Sequence, residues 1–134
     1  MYNLEYRIIR QMRKKVYLGM IGDIMHPGYI NIIQRGAEYG DVVVGLFTDK
    51  AVADHRRLPY LTWEQRKVVV EQIKGVCEVV PQNEWSYIPN LVKYKPDYII
   101  HGDDWQTGPD KFLRDEVFKV MKKLGGEVIE IPYT

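Results

Sequence analysis

The sequence predicts an α/β protein, a Rossmann-like doubly wound parallel sheet of five strands with helices on both faces. Short apolar runs alternate with helical patterns along the whole chain, which is the order of a parallel sheet with crossover helices. The run 41–47 is almost continuously apolar, as expected of a strand covered on both faces. Polar loops follow the first, second and fourth runs, so these loops should meet at the carboxyl edge of the sheet.

Each element has a local signal. The predicted strands span 15–20, 41–47, 77–80, 97–101 and 127–132. The predicted helices span 28–39, 62–74, 86–94 and 111–124. Gly40 ends the first helix, and Thr62 with Gln65 forms a capping-box pattern at the start of the second. Residues 48–60 are expected to form a polar loop, and residues 1–14 an N-terminal helical arm beside a main domain of residues 15–134.

Composition excludes several classes of protein. The 134 residues suit one domain, and 19 basic against 18 acidic residues give no reason to expect a nucleic-acid or membrane partner. No apolar run approaches the roughly 20 residues that a membrane span needs, and no run has the pattern of a secretory h-region. The single Cys77 excludes an internal disulfide framework and is expected to be a small core residue in a cytoplasmic protein.

The loop after the first strand is the first candidate site. Pro27 suits a first helical position, and Gly28 lets a ligand approach the backbone. Free amides and the dipole at the start of a helix favour a phosphate, and His26 would stand beside it as a donor. The alternative is that His26 only caps the helix and Gly28 is a turn glycine; the local sequence leaves both open.

Two more loops carry polar residues at the same edge. Cations concentrate after the second strand, at Lys50, His55, Arg56, Arg57 and Arg66. They would hold phosphates, unless the run is simply a solvated surface. The turn 102–105 (Gly-Asp-Asp-Trp) offers carboxylates and a stacking face, unless it is an Asx-type turn. The convergence of the three loops on one edge favours the functional interpretation of each.

Several familiar sites are missing from the sequence. It contains no Walker-type glycine loop, no dinucleotide fingerprint, no Ser-His-Asp order and no cluster of metal ligands. A histidine beside a phosphate, surrounded by cations, instead suits direct displacement at phosphorus without a protein nucleophile.

Four segments resemble motifs of the cytidylyltransferases in the HxGH nucleotidyltransferase superfamily. Residues 23–29 resemble the D-x-x-H-x-G-H signature, 62–67 the segment around a phosphate-binding arginine, and 102–105 the G-D-D-W motif. Lys74 falls where the family usually has a second basic residue, and Trp85 where its glycerol-3-phosphate branch approaches the co-substrate. The resemblance covers about residues 15–134 and is strongest to the domains fused to phosphoenolpyruvate mutase in phosphonate biosynthesis.

The resemblance implies a CTP-dependent enzyme that joins CMP to a phosphonate such as 2-hydroxyethylphosphonate, or to a phosphorylated alcohol such as glycerol 3-phosphate. Pyrophosphate would leave, Mg²⁺ would accompany CTP, and the protein would be a homodimer. The implied catalytic residues are His26, Lys50 and Arg66. The implied nucleotide-binding residues are Ile21, Gly22, Asp23, Gly28, Tyr29, Asp104 and Trp105, and those for the co-substrate and phosphates are His55, Arg57, Lys74 and Trp85. None of these is expected to be a metal ligand.

Two departures from the family pattern leave alternatives open. Tyr29 replaces the second histidine of the signature. In other enzymes, the loss of one preorganised hydrogen-bond donor lowers the rate by about 10²–10³. The chain also ends at Thr134, before the I-S-S/T-T motif of the family, so it is expected to be a fragment or a site completed differently. The alternatives are a nucleotide-binding domain with weakened catalysis and an adenylyltransferase that uses ATP.

Overall fold

The described fold is a five-stranded parallel sheet between two layers of helices, so the predicted α/β class is confirmed. The computed structural model describes residues 4, 5, 8 and 13–132. The strands are β1 (Lys15–Met20), β2 (Asp41–Phe47), β3 (Val76–Gln82), β4 (Tyr98–Gly102) and β5 (Glu127–Ile131). The helices are α1 (Pro27–Ala37), α2 (Asp49–Val52), α3 (Trp63–Glu71), α4 (Ile88–Tyr94) and α5 (Lys111–Leu124), and a 3₁₀ turn spans Asp103–Gln106.

The order of the strands explains where a ligand site can form. The sheet runs β3-β2-β1-β4-β5, and every pairing is parallel. The chain moves outward from β1 to β3 and then crosses back to β4, so the strand order reverses between β1 and β4. At such a reversal the flanking loops diverge and leave a crevice at the carboxyl ends of the strands.

The two faces of the sheet are buried under different helices. Ile33 of α1 and Val70 of α3 pack on one face. Leu91 of α4 and Val117 of α5 pack on the other, where Tyr17 of β1 is also fully buried. The Tyr17 hydroxyl donates to the Gln82 side chain, and burial raises the pKa of this phenol well above its usual range. Apolar burial on both faces holds β1 at the centre, which fixes the loop that follows it.

Several boundaries differ from the sequence prediction for local reasons. The predicted loop 48–60 contains α2, because the Thr48 hydroxyl accepts a hydrogen bond from the Ala51 amide at 3.3 Å and caps a short helix. The helix α3 ends at Glu71, three residues before its predicted end at Lys74. The expectation that Cys77 is a core residue is wrong: β3 is an edge strand and Cys77 is exposed.

The N-terminal arm predicted over residues 1–14 lies outside the described residues, apart from positions 4, 5, 8, 13 and 14. In the described part of the chain, no helix has both the length and the apolar character needed to cross a membrane.

Candidate active site

Two adjoining cavities open at the carboxyl edge of the sheet, beside the point where the strand order reverses. The outer cavity, of about 330 Å³, is bordered by the β1 loop and the 56–59 segment and is lined by Gly22, Asp23, His26, Arg57 and Pro59, among others. The inner cavity, of about 190 Å³, is lined by Trp85, Tyr87, His101, Asp104, Trp105 and Asp110, among others. Ile21, Tyr29 and Arg56 line both cavities, so the two lie side by side.

His26 is both the N-cap of α1 and part of the outer cavity wall. Its Nδ1 accepts a hydrogen bond from the Gly28 amide at 3.0 Å, and its carbonyl oxygen accepts from the Tyr29 amide at 3.0 Å. The Gly28 amide, expected to be free to receive a phosphate, is therefore already bonded, and His26 does cap the helix; whether it also acts on a phosphate stays a prediction. Because Nδ1 is an acceptor, the proton of a neutral ring sits on Nε2, which leaves that nitrogen as the donor.

Asp23 holds the loop that covers the outer cavity. Its carboxylate accepts hydrogen bonds from the backbone amides of Tyr60, at 3.0 Å, and Leu61, at 3.2 Å. Burial by itself raises the pKa of Asp23, but these two amides and the nearby guanidinium groups of Arg57 and Arg66 lower it overall. Asp23 thus contributes to the site by joining the β1 loop to residues 60 and 61.

Arg66 is fully buried beneath the site and uses its donors within the protein. Its Nη1 donates to the carbonyl oxygens of Ile21, at 2.6 Å, and Phe47, at 2.7 Å, and its Nη2 donates to Asp49 at 3.0 Å. The expectation that Arg66 holds a phosphate directly is wrong, because its fork already bridges the ends of β1 and β2. The guanidinium fixes the distance between the two loops that border the cavities.

The inner cavity has a charged and aromatic wall around Trp85. His55 stacks on the indole, with ring centroids 4.8 Å apart and planes within 8°. The guanidinium carbon of Arg56 lies 5.1 Å from the indole centroid, and its Nη2 is 2.8 Å from the Asp110 carboxylate. In the described part of the chain, the Trp85 Nε1 is the one buried side-chain nitrogen or oxygen without a hydrogen-bond partner.

The opposite wall is a connected network that begins at His101. The His101 ring stacks on Trp105, with centroids 3.7 Å apart and planes within 3°, and its Nδ1 lies 2.7 Å from the Gly102 carbonyl oxygen. Trp105 donates to Glu130 at 2.6 Å, and Arg114 makes two further hydrogen bonds to the same carboxylate at 2.8 and 2.9 Å. Burial lowers the pKa of His101, while the Arg114 hydrogen bonds lower the pKa of Glu130 to about 2. Burial in this wall therefore favours the neutral form of His101 at neutral pH.

Comparison with known proteins decides the family. The sequence model described as cytidylyltransferase-like matches residues 22–131. The chain belongs to the cytidylyltransferase-like family. It is 30% identical over 125 residues to the glycerol-3-phosphate cytidylyltransferase of Bacillus subtilis, which covers 92% of this chain and 88% of that protein.

Other relatives of this cytidylyltransferase-like chain carry different names. The ethanolamine-phosphate cytidylyltransferase of Arabidopsis thaliana is 30% identical over 90% of this chain and 30% of its own length. The FAD synthase of Ferroglobus placidus is 32% identical over 90% of this chain and 76% of its own length. The lipopolysaccharide core biosynthesis protein of Thermoplasma volcanium shares the fold, with a TM-score of 0.77 at 22% identity over 91% of this chain and 98% of that one.

Two lysines assigned to the site of this family member lie away from both cavities. Lys74 follows the last turn of α3, at the amino edge of the sheet, where its carbonyl oxygen accepts from Gln34 of α1 at 2.6 Å. A crossover helix in a parallel sheet must run from the carboxyl edge to the amino edge, so the expectation for Lys74 is wrong. Lys50 is exposed on α2 with its Nζ 3.8 Å from Glu84, and it lines neither cavity.

Other assigned residues of the cytidylyltransferase-like site do line the cavities. Ile21, Gly22, Asp23, Tyr29, Arg57, Trp85, Asp104 and Trp105 do so. Trp105, however, is buried and has one ring face against His101 and its Nε1 on Glu130, so it forms a wall and not the open stacking face that was expected. His55 reaches the inner cavity only through its stacking on Trp85.

The sequence interpretation of this cytidylyltransferase-like site missed His101, Tyr87 and Asp110, and it named Arg56 only as one of the cations after the second strand. His101 and Tyr87 line the inner cavity, and the ion pair between Arg56 and Asp110 lies across it. The signal for His101 was its position near the end of an apolar strand, immediately before the Gly-Asp-Asp-Trp turn. Nothing in the sequence distinguishes Arg56 from its neighbour Arg57, because side-chain direction in a loop follows no fixed period.

Proposed function

We propose that the chain is a CTP-dependent nucleotidyltransferase that joins CMP to a phosphonate, such as 2-hydroxyethylphosphonate, or to a phosphorylated alcohol, such as glycerol 3-phosphate. The observation that carries the proposal is that the two cavities adjoin: the outer one is lined by His26, and Arg56 lines both. The names of the Bacillus subtilis and Arabidopsis relatives support CTP chemistry on small phosphorylated alcohols. The homodimer and the cytoplasmic setting stay predictions.

The reaction is a displacement at the α-phosphorus of the nucleotide. An oxygen of the acceptor's phosphonate or phosphate forms the new bond to phosphorus, and the bond to the β-phosphate oxygen breaks with its electron pair leaving on pyrophosphate. The His26 Nε2–H donates to a non-bridging α-phosphate oxygen, where negative charge is concentrated. Tyr29, whose ring centroid is 4.7 Å from that of His26, adds a phenolic donor beside it.

The Mg²⁺ expected with CTP has no protein cage in the residues the structure describes. No three His, Cys, Asp or Glu side chains of this part of the chain come together as a metal site. Asp23 accepts hydrogen bonds from backbone amides and Asp110 from Arg56, so both carboxylates already have partners within the protein. A magnesium ion that entered with the triphosphate would be held chiefly by phosphate oxygens and water.

A second candidate is adenylyl transfer from ATP. The FAD synthase of Ferroglobus placidus favours it, since the product in that name contains an adenine nucleotide. The Gly-Asp-Asp-Trp turn that resembles the cytidylyltransferase motif favours CTP instead. A third candidate is a domain that binds the nucleotide and has lost turnover.

A pyrophosphate-release assay separates the three. The full chain is incubated with CTP or ATP, and each nucleotide is combined with 2-hydroxyethylphosphonate, glycerol 3-phosphate, phosphoethanolamine or no acceptor. Acceptor-dependent release of pyrophosphate from CTP supports the proposal. Release of pyrophosphate from ATP but not from CTP supports adenylyl transfer. Binding of CTP by calorimetry without release in any mixture would leave only the binding domain, and absence of nucleotide binding contradicts all three.

A further inference from the structure

We infer that the ion pair between Arg114 and Glu130 positions the turn Asp103–Gln106 and thereby sets how tightly the nucleotide is held. The inference rests on the proposed function, because it concerns the nucleotide of that reaction. Neither member of the pair lines the inner or the outer cavity, so neither is expected to touch a substrate. Both are positioning residues that act through Trp105.

The turn Asp103–Gln106 reaches the inner cavity but depends on the rest of the protein for its position. Asp104 and Trp105 line that cavity. A 3₁₀ turn has hydrogen bonds of poorer geometry than an α-helix and is seldom longer than a few residues, so it is not rigid by itself. Gly102, which precedes the turn, provides no side-chain cap. Contacts from outside the turn must therefore hold Asp104 and Trp105 in place.

The Glu130 carboxylate supplies such contacts from β5. Its Oε2 accepts a hydrogen bond from the Trp105 Nε1 at 2.6 Å, and its Oε1 accepts from the Gln106 Nε2 at 3.2 Å. Glu130 is also the register partner of His101 on β4, and the His101 ring stacks on Trp105. The carboxylate therefore joins two residues of the turn to the last strand of the sheet.

Arg114 of α5 holds the carboxylate itself. Its Nε donates to the Glu130 Oε2 at 2.8 Å and its Nη2 to Oε1 at 2.9 Å, so the guanidinium bonds both oxygens at once. The Phe118 ring lies against the guanidinium, with its centroid 4.4 Å from the guanidinium carbon. A planar fork of this kind fixes the orientation of a carboxylate as well as its distance, which a lysine ammonium does not do.

The acceptor sites of Glu130 explain why a carboxylate stands at this position. Its two oxygens have four acceptor sites, and all four are used, two by Arg114 and one each by Trp105 and Gln106. Glu130→Gln would keep one acceptor oxygen and would turn its own N–H donors towards the remaining donors. Loss of either member of the ion pair should therefore release Trp105 and, with it, the turn.

Nucleotide affinity tests the positioning role without any need for turnover. Calorimetry of the full chain with CTP and Mg²⁺, at a temperature where every variant stays folded, gives the Kd. We expect Arg114→Gln to weaken CTP binding by about tenfold, which corresponds to about 1.4 kcal/mol of binding free energy. Arg114→Lys should weaken it as well, since the ammonium keeps the charge but not the fork.

The double variant Arg114→Gln/Glu130→Gln tests whether the two side chains act as one unit. It should bind CTP no more weakly than Arg114→Gln alone, because residues in one hydrogen-bond network do not have additive effects. If turnover is observed, Arg114→Gln should raise the KM for CTP and keep the wild-type kcat, as expected when ground-state and transition-state binding are lost equally. A Kd for the double variant equal to the product of two independent losses would contradict the shared role.

Two control variants on α5 separate positioning from a general loss of stability. Lys111→Gln removes the ion pair with Asp115, whose atoms are 3.1 Å apart on the same helix, and should bind CTP as the wild type does. Val117→Ala leaves a cavity in the core, so it should lower the free energy of unfolding and leave the affinity for CTP unchanged. A pair that were only structural would make Arg114→Gln behave like Val117→Ala.

The outcomes separate this inference from the proposed function. Weaker nucleotide binding in Arg114→Gln, with both controls at the wild-type affinity, supports the positioning role even if no pyrophosphate is released. It does so whether the nucleotide bound by the wild type is CTP or ATP. An unchanged Kd in Arg114→Gln, or an equal loss of affinity in Val117→Ala, overturns the inference, and turnover of CTP by the wild type would then leave the proposed function standing. A wild type that binds neither nucleotide contradicts both.

Discussion

Arg66 donates a hydrogen bond to the Asp49 carboxylate at 3.0 Å, although the Arg66 side chain is fully buried and that of Asp49 is 58% exposed. The buried guanidinium also joins the carbonyl oxygens that end β1 and β2. A side chain that bridges two loops in this way affects the site by fixing the positions of those loops. Its removal should therefore affect stability as well as any activity.

Arg66→Met should lower the free energy of unfolding by about 3 kcal/mol, because buried carbonyl oxygens lose their donor. Urea denaturation followed by fluorescence measures the change. Arg35→Met is the matched control: Arg35 lies 3.7 Å from Glu38 on an exposed face of α1, and its loss should cost less than about 0.5 kcal/mol. An Arg66→Met protein as stable as the control contradicts the bridging role.

The carboxylate of Glu130 should make stability fall in acid. Its folded-state pKa, about 2, lies below the unfolded value, so the stability it contributes is present above pH 5 and is lost as the pH falls towards 2. The loss should reach up to about 3 kcal/mol, given 1.36 kcal/mol per pKa unit. Denaturation between pH 7 and pH 2 measures it, and the difference between wild type and Glu130→Gln isolates the Glu130 contribution. Parallel plots of unfolding free energy against pH for the two proteins would show that Glu130 contributes none of the acid dependence.

His26 has a capping role and a proposed chemical role, and two substitutions separate them. His26→Ala removes the acceptor that caps the Gly28 amide, so the free energy of unfolding should fall by about 1 kcal/mol. The transferase rate should fall as well. His26→Asn keeps an acceptor for the cap, so it should restore the stability while the rate stays at least tenfold below wild type. Lys74→Ala, at the amino edge, is the control and should keep the wild-type rate. Full activity in His26→Asn would remove the imidazole from the mechanism.

Tyr29 should act as the donor that the second histidine supplies in the family pattern. It lines both cavities and lies beside His26. Tyr29→Phe keeps the ring and removes the hydroxyl, so we expect kcat to fall by about 10². Tyr29→His restores a donor and should equal or exceed the wild-type kcat. Steady-state kinetics at saturating CTP give both values, and a Tyr29→Phe enzyme with wild-type kcat contradicts the role.

The fold was predictable because it follows from patterns that are regular along the chain. Alternating apolar strands and amphipathic helices allow few arrangements once crossovers are right-handed, and the carboxyl-edge loops follow from the topology. The prediction placed the loops containing His26, Arg57 and Asp104 on one edge, and all three residues line the two cavities.

The misassigned residues were placed wrongly because tertiary structure sets where their side chains lie. Arg66 and Lys74 were assigned by resemblance of position in the sequence, but burial directs the first to backbone carbonyls and the direction of α3 carries the second to the far edge. Arg114 and Glu130 come from different elements 16 positions apart, and only packing brings them to Trp105. Tertiary contacts of this kind leave no periodic signal in one sequence.

The most direct test of the central claim is a crystal structure of the chain with a CTP analogue whose α–β bridge is a methylene group. We predict that the α-phosphate lies in the outer cavity, with a non-bridging oxygen within hydrogen-bond distance of the His26 Nε2 and the base towards Asp104. A triphosphate bound at the amino edge beside Lys74, or a His26 ring with no contact to any phosphate, would contradict the account.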